Sequence, residues 1–137
     1  MKNKGKKTLP PRCPYCGHTS VLRPASWVHG DGATARHLYV CSQYPVCNSY
    51  VGAHDKTLAP LGTLAGPELR HKRIKAHQLF DRIWQSGIMS RDDAYSWLKY
   101  TFGLTGAFAH IGVFSDYYCE QLILRSRELL RNNKIAC

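Results

Sequence analysis

The chain predicts an α+β fold in which a small antiparallel sheet is packed on a C-terminal three-helix unit. Three observations predict it. Cys13 and Cys16 form one close pair, and Cys41 and Cys47 form a second, with a hairpin-length insert between them. That is the spacing of a tetrahedral, four-cysteine zinc ribbon. The insert reads as strand, turn and strand. From Pro67 onward the apolar residues recur at helical spacing instead.

Residues 1–10 are a Lys-rich arm that runs into Leu9-Pro10-Pro11 and buries too little to order itself. Residues 11–54 are the ribbon. Thr19–Arg23 reads as a strand leaving the first cysteine pair, and Ser26-Trp27-Val28-His29 continues it past Pro24. Gly30-Asp31-Gly32 is a turn signal. Arg36–Val40 is the return strand, which delivers the chain to Cys41. Asn48–Val51 supplies a third strand. Residues 55–66 are a linker punctuated by Pro and Gly, whose leucines favour packing down.

Residues 67–137 are the helical unit. Pro67 suits a first helical position. Leu69, Ala76, Phe80, Ile83 and Trp84 form the inner stripe of the first helix, which Gly87 ends. Ser90 caps a second helix, with Asp92 and Asp93 in its first turn, where the helix dipole favours acids. Its inner face is Ala94, Trp97, Leu98 and Thr101, and Gly103 closes it. An apolar connector over 106–112 leads to Ser115, the cap of a third helix. The buried stripe there is Cys119, Leu122, Ile123, Ser126, Leu129 and Leu130. The ribbon is too small to be indifferent to its neighbour. A shared interface through the linker leucines and the Phe80/Trp84 stripe is therefore expected.

A ribbon of about 45 residues cannot offset its chain entropy by burial alone and needs a staple. Four thiolates on zinc supply roughly 10–16 kcal/mol of apparent binding energy near neutral pH. The two-residue gap between Cys13 and Cys16 lets both sulfurs reach one ion. Gly17 lets the chain turn back, with its N–H placed to donate to a thiolate, while Pro14 and Pro45 shape the two knuckles. Four cysteines fill the coordination sphere and leave no place for a catalytic water, so one structural Zn2+ is the expected cofactor. His18 and His54 lie close enough to substitute for a ligand. Cys119 sits on an apolar stripe and reads as a core thiol, and Cys137 as an inert terminal one.

The formal net charge is +10. Up to Val51, seven Lys/Arg face a single acid, Asp31; the rest carries twelve against eight. The excess on the arm and ribbon is the footprint expected toward a nucleic acid or an acidic protein surface, or else a solvated tail. The contact candidates are Lys2, Lys4, Lys6, Lys7, Arg12, Arg23, Trp27 and Arg36 in the arm and ribbon, with Lys75 and Arg82 in the first long helix. Trp27, His29, Arg36 and Tyr39 fall on two strands that should pair. They form either an exposed platform for stacking bases or a cover for the core. His71, Lys75 and Arg82 share one helical side, which is either a phosphate contact or a solvated face.

No apolar stretch approaches the roughly 18 residues of a membrane span. No apolar segment follows the basic N-terminus, so a signal peptide is not expected. Paired cysteines without a disulfide framework fit a reducing cytoplasm. His77 and His110 have no nucleophile or carboxylate at motif spacing, and no phosphate-binding loop or His-Glu-x-x-His motif is present. The chain therefore reads as a non-enzyme, with His110 buried among apolar neighbours.

Two resemblances rest on these residues. Cys13-Pro14-Tyr15-Cys16-Gly17 and Cys41 through Cys47 are similar to the C-terminal zinc ribbons of bacterial type IA topoisomerases, which bind single-stranded DNA. A longer span resembles a phage and prophage family described as a zinc-finger-containing domain of unknown function. It is carried by Pro11–Gly17, Val21–Ser26, Cys41–Cys47, Tyr50–His54, Pro60–Ala65, Arg73–His77, Met89-Ser90-Arg91 with Ala94–Leu98, and His110-Ile111-Gly112. The resemblance implies a small phage-encoded protein working in the cytoplasm of a bacterial host, and brings no activity with it.

Two functional expectations follow. One is an accessory protein that binds nucleic acid or a nucleic-acid enzyme complex. The other is a protein inhibitor of a host defence nuclease, a CRISPR effector nuclease being the sharpest version. Neither involves a membrane, and the oligomeric state is not readable.

Overall fold

Strand β2 (His37–Cys41) is buried on both faces, and the N-terminal unit is built around it. The computed structural model describes residues 9–30 and 36–135, and the chain divides into two compact units between Pro67 and Glu68. Expectations for Lys2, Lys4, Lys6, Lys7, the Asp31-Gly32 part of the turn and Cys137 lie outside the described residues.

β2 pairs antiparallel with β1 (Ser20–Pro24) on one side and β3 (Tyr50–Gly52) on the other. The register aligns Leu22, Tyr39 and Val51 across one face, and Val21, Val40 and Tyr50 across the other. Side chains alternate along a strand, so these rows point to opposite sides. Tyr39 and Cys41 pack with Cys13, Ala53 and Leu64 on the first face. Leu38 and Val40 pack with Ala25, Val28, Tyr44 and Tyr50 on the second. A short, unbroken apolar strand such as Leu-Tyr-Val-Cys is what such double burial requires.

Ser26–His29, expected to extend the first strand, is instead a single helical turn, α1. Pro24 has no N–H to continue a ladder. The chain turns at Ala25, whose carbonyl accepts from both Val28 and His29 (3.1 and 2.9 Å). The turn lays Ala25 and Val28 over Leu38 and Val40, which a continued strand would have left bare.

The segment 55–66 folds back on the sheet. Ala53 bridges Pro60, Tyr50 bridges Ala65, and Leu64 is fully buried. Tyr39 donates its hydroxyl to the Leu58 carbonyl (2.6 Å), and the Gly66 N–H donates to the Tyr15 hydroxyl oxygen (3.0 Å).

The second unit carries three long helices, α2 (Pro67–Gln85), α3 (Arg91–Phe102) and α4 (Asp116–Asn132), with 3₁₀ turns at Gly106–Ala109 and Ile111–Val113. Both predicted serine caps are present: Ser90 Oγ accepts from the Asp93 N–H (3.0 Å) and Ser115 Oγ from the Tyr118 N–H (3.3 Å). Gly103 ends α3 in the left-handed region, φ 63°, where a Cβ is disfavoured. Phe80 packs edge-on to Tyr95 and stacks near Trp97. Buried Phe114 meets Phe102 and Tyr118, and its carbonyl accepts from Arg73 Nε (3.0 Å). Lys72 ties α2 to α4 through Glu120 (2.6 Å) and Asp116 (3.3 Å).

Leu79 joins the buried stripe of α2, whereas Trp84 is only partly buried and donates its indole N–H to Asp81 (3.1 Å). His110 is exposed rather than buried. Its backbone is extended (φ −117°, ψ 130°), so its side chain opposes those of Ala109 and Ile111, which go inward. His77 does meet a carboxylate, Asp81, one turn away at 3.5 Å. Among the described residues, no helix is long and apolar enough to cross a membrane.

Ser126 on α4 is fully buried, and its hydroxyl has no hydrogen-bond partner. Ser126→Ala removes a desolvated group that gains nothing in return, so it is expected to leave stability unchanged or raise it by up to about 1 kcal/mol. Chemical denaturation of both proteins checks this; a comparable loss would show that the hydroxyl is satisfied in the folded state.

Candidate metal centre

Two knuckles bring the four cysteines together. In the first, Cys13 N–H donates to His18 O (2.8 Å), Gly17 N–H donates to Cys13 O (2.8 Å), and Arg12 bridges to Thr19. Gly17 takes φ 79°, a conformation glycine adopts freely. Its N–H is therefore spent on a carbonyl, not on a thiolate as the sequence suggested. In the second knuckle, Cys41 leaves β2, Cys47 N–H donates to Gln43 O (3.0 Å), and the Tyr44–Pro45 peptide is cis. Here the Gln43 N–H approaches the Cys41 sulfur (3.4 Å).

Cys13 and Cys47 sulfurs lie 3.5 Å apart, as do those of Cys16 and Cys41, and all four fall within 4.8 Å of one another. Four sulfurs held about 2.3 Å from one ion would be about 3.8 Å apart, the edge of a tetrahedron. The cluster fits one zinc ion with every position taken by cysteine. The centre is a structural one: Cys13, Cys16, Cys41 and Cys47 hold a single Zn2+ that closes the ribbon.

A model of a family described as a zinc-finger-containing domain matches residues 9–129. The chain belongs to that family. Among curated proteins and among solved structures, nothing matches the chain significantly.

The zinc-finger-containing domain surrounds its cysteines unequally. Cys13 and Cys41 are buried, Cys47 is half-buried and Cys16 is exposed, with His18 Nδ1 3.3 Å from the Cys16 sulfur. His54 takes no part: its Nδ1 accepts from the Lys56 and Thr57 amides. Sequence reading missed Ser49. It is buried, and its hydroxyl lies 3.1 Å from the Cys13 sulfur and 3.6 Å from that of Cys47. Its position two residues after Cys47 was the available signal.

These contacts set the thiols apart. Burial pushes the Cys13 thiol up, but the Ser49 hydroxyl and the Cys16 and Tyr15 amides together bring it down to about 6. Burial drives Cys41 up to about 12 against the Gln43 amide. Cys47 is drawn down by Ser49, yet burial and the neighbouring Cys13 and Cys16 leave it above the ordinary value. Cys119, far from the cluster in sequence, is buried in the helical unit; burial raises it to about 11, which suits an unreactive core thiol.

The contact candidates are placed as follows. Arg12 donates from Nη1 to the Gly17 carbonyl (2.8 Å) at the exposed knuckle. Arg23 lies over the Trp27 ring, 4.6 Å from its centroid, and Trp27 tilts against Tyr44 at 5.4 Å. Arg36 approaches Asp55 (3.8 Å) in solvent. Lys75 and Arg82 are exposed on α2 and line one groove. Of the two readings of these rings, the shared Trp27–Tyr39 platform does not form, and Tyr39 covers the core. Tyr39 is 4% exposed on the opposite, cysteine-bearing face of the sheet, and Trp27 is on α1, not a strand.

Zinc takes up thiolates, so protons compete with it. Cys41 and Cys47, both held above the ordinary thiol value, by burial first for Cys41, must each release a proton on loading at pH 7. Affinity is thus expected to fall as pH falls, with at least two protons released per zinc at pH 7. Calorimetric titration in buffers of differing ionisation enthalpy measures this; release of fewer than two would contradict it. Ser49→Ala removes the hydroxyl that favours the Cys13 thiolate. It is expected to weaken zinc about tenfold, read by competition with a chromogenic chelator.

Proposed function

We propose that this is a non-enzymatic zinc-ribbon accessory protein of phage type that binds nucleic acid in the bacterial cytoplasm. The observation that carries the reading is the Arg23–Trp27 pair. The indole is 47% exposed, has a guanidinium over its ring at 4.6 Å, and sits beside Tyr44. A flat, rigid aromatic surface next to a fixed positive charge suits an unpaired base and its phosphate. The net charge of +10, with the excess on the arm and ribbon, supports an anionic partner. Four cysteines on one ion leave no open position for a catalytic water, which supports a binding role.

The second reading, a protein inhibitor of a host defence nuclease such as a CRISPR effector, is favoured by exposed aromatics on the helical unit: Tyr100, Phe108 and Tyr117. A basic chain is a poor mimic of DNA, so such an inhibitor would dock on an acidic or neutral surface.

Fluorescence anisotropy of the zinc-loaded protein with labelled single- and double-stranded oligonucleotides at rising salt tests the first reading. Single-stranded binding is expected to persist at physiological salt and to weaken about tenfold in Trp27→Ala, the loss of one stacked base. Absence of binding to either form would reject it in favour of a protein partner.

A further inference from the structure

The helical unit carries a groove of about 670 Å³ along α2, with Arg127 of α4 contributing to its lining. His71, Lys75, Gln78, Arg82 and Gln85 line it at intervals of four, three, four and three residues. At 100° per residue these side chains fall within an arc of about 80°, and at 1.5 Å per residue they extend over about 21 Å. The stripe is thus a row of groups able to donate hydrogen bonds, all exposed to solvent. Asp81, which accepts the Trp84 indole N–H and faces His77, is the single carboxylate in the lining, so three fixed cations, Lys75, Arg82 and Arg127, stand against one negative charge. Ile74 and Leu79 add an apolar edge; no Phe, Tyr or Trp lines the groove, and its one aromatic ring is the His71 imidazole at the end of the stripe.

We infer that this groove is a track for the phosphodiester backbone of single-stranded DNA, a contact separate in the chain from the Arg23–Trp27 surface. The inference rests on the nucleic-acid reading above. A row made mostly of donors, with a single imidazole at one end and no large ring along its length, suits a backbone more than a run of stacked bases. Lys75, Arg82 and Arg127 supply fixed positive charge, and a stripe of about 21 Å is long enough to follow several consecutive phosphates of one strand. An acidic protein segment would meet the same charges, and competition by polyglutamate separates the two.

The test compares the zinc-loaded full-length protein with Lys75→Gln/Arg82→Gln/Arg127→Gln and with Lys75→Glu alone, the single exposed change guarding against a folding defect in the triple variant. The probe is a fluorescein-labelled dT20, titrated between 50 and 300 mM salt, with polyglutamate of matched charge as competitor. Three lost phosphate contacts are expected to make the log–log salt slope shallower by about 2 and to weaken binding at least tenfold near physiological salt. Lys75→Glu is expected to weaken binding in the same direction. If the wild type binds dT20 and both variants match it, the groove is not a phosphate track, although the ribbon reading stands. If polyglutamate displaces dT20 from the wild type as well as unlabelled dT20 does, the groove takes acidic chains in general and the inference fails. If the wild type does not bind, both fail together.

Discussion

Zinc ligation by Cys13, Cys16, Cys41 and Cys47 is the interaction that the N-terminal unit depends on. Its sheet has only three short strands, and two apolar clusters of a few residues each flank it. Burial on that scale does not offset the ordering of the more than fifty described residues of this unit. The metal adds a free energy of the order of a whole domain's stability at one point. That point is well chosen. Two of the ligands belong to the cluster that also holds Tyr39 and Leu64, so the metal and the apolar packing reinforce each other.

The same centre explains how a strand buried on both faces is possible in so small a unit. One face of β2 is closed by the cysteine cluster and the returning segment with Leu64; the other is closed by the α1 turn and Tyr44. Tyr44 lies inside the second knuckle, between Cys41 and Cys47, so closing that knuckle also places a ring over the sheet. Trp27 leans on Tyr44 in turn, which makes the proposed binding surface an extension of the metal loop and not an independent patch.

Much of this was legible in the residues. The cysteine spacing identified the ligands because coordination demands particular residue types at short separations, and no other cysteines offered them. The helix caps at Ser90 and Ser115 and the closing Gly103 were legible because capping is local: it needs one side chain and the next turn of backbone. Ser126 was assigned correctly to a buried stripe by periodicity, although nothing local says that its hydroxyl lacks a partner.

What the sequence determined by itself was chemistry and local geometry: the four ligands, the single structural metal, the helical boundaries and the basic balance. Tertiary structure decided how side chains were shared between elements. Pro24 could end a strand in several ways, and the need to cover Leu38 and Val40 selected a helical turn that carries Trp27 to Arg23. Tyr39 alternates correctly along its strand, yet its face became the metal face only once both knuckles closed. Ser49 became a neighbour of Cys13, thirty-six residues away, by the same closure. Local patterns specify which residues can do a job; only the packed chain specifies which partners they meet, because those partners are distant in sequence and are brought near by burial and metal ligation together.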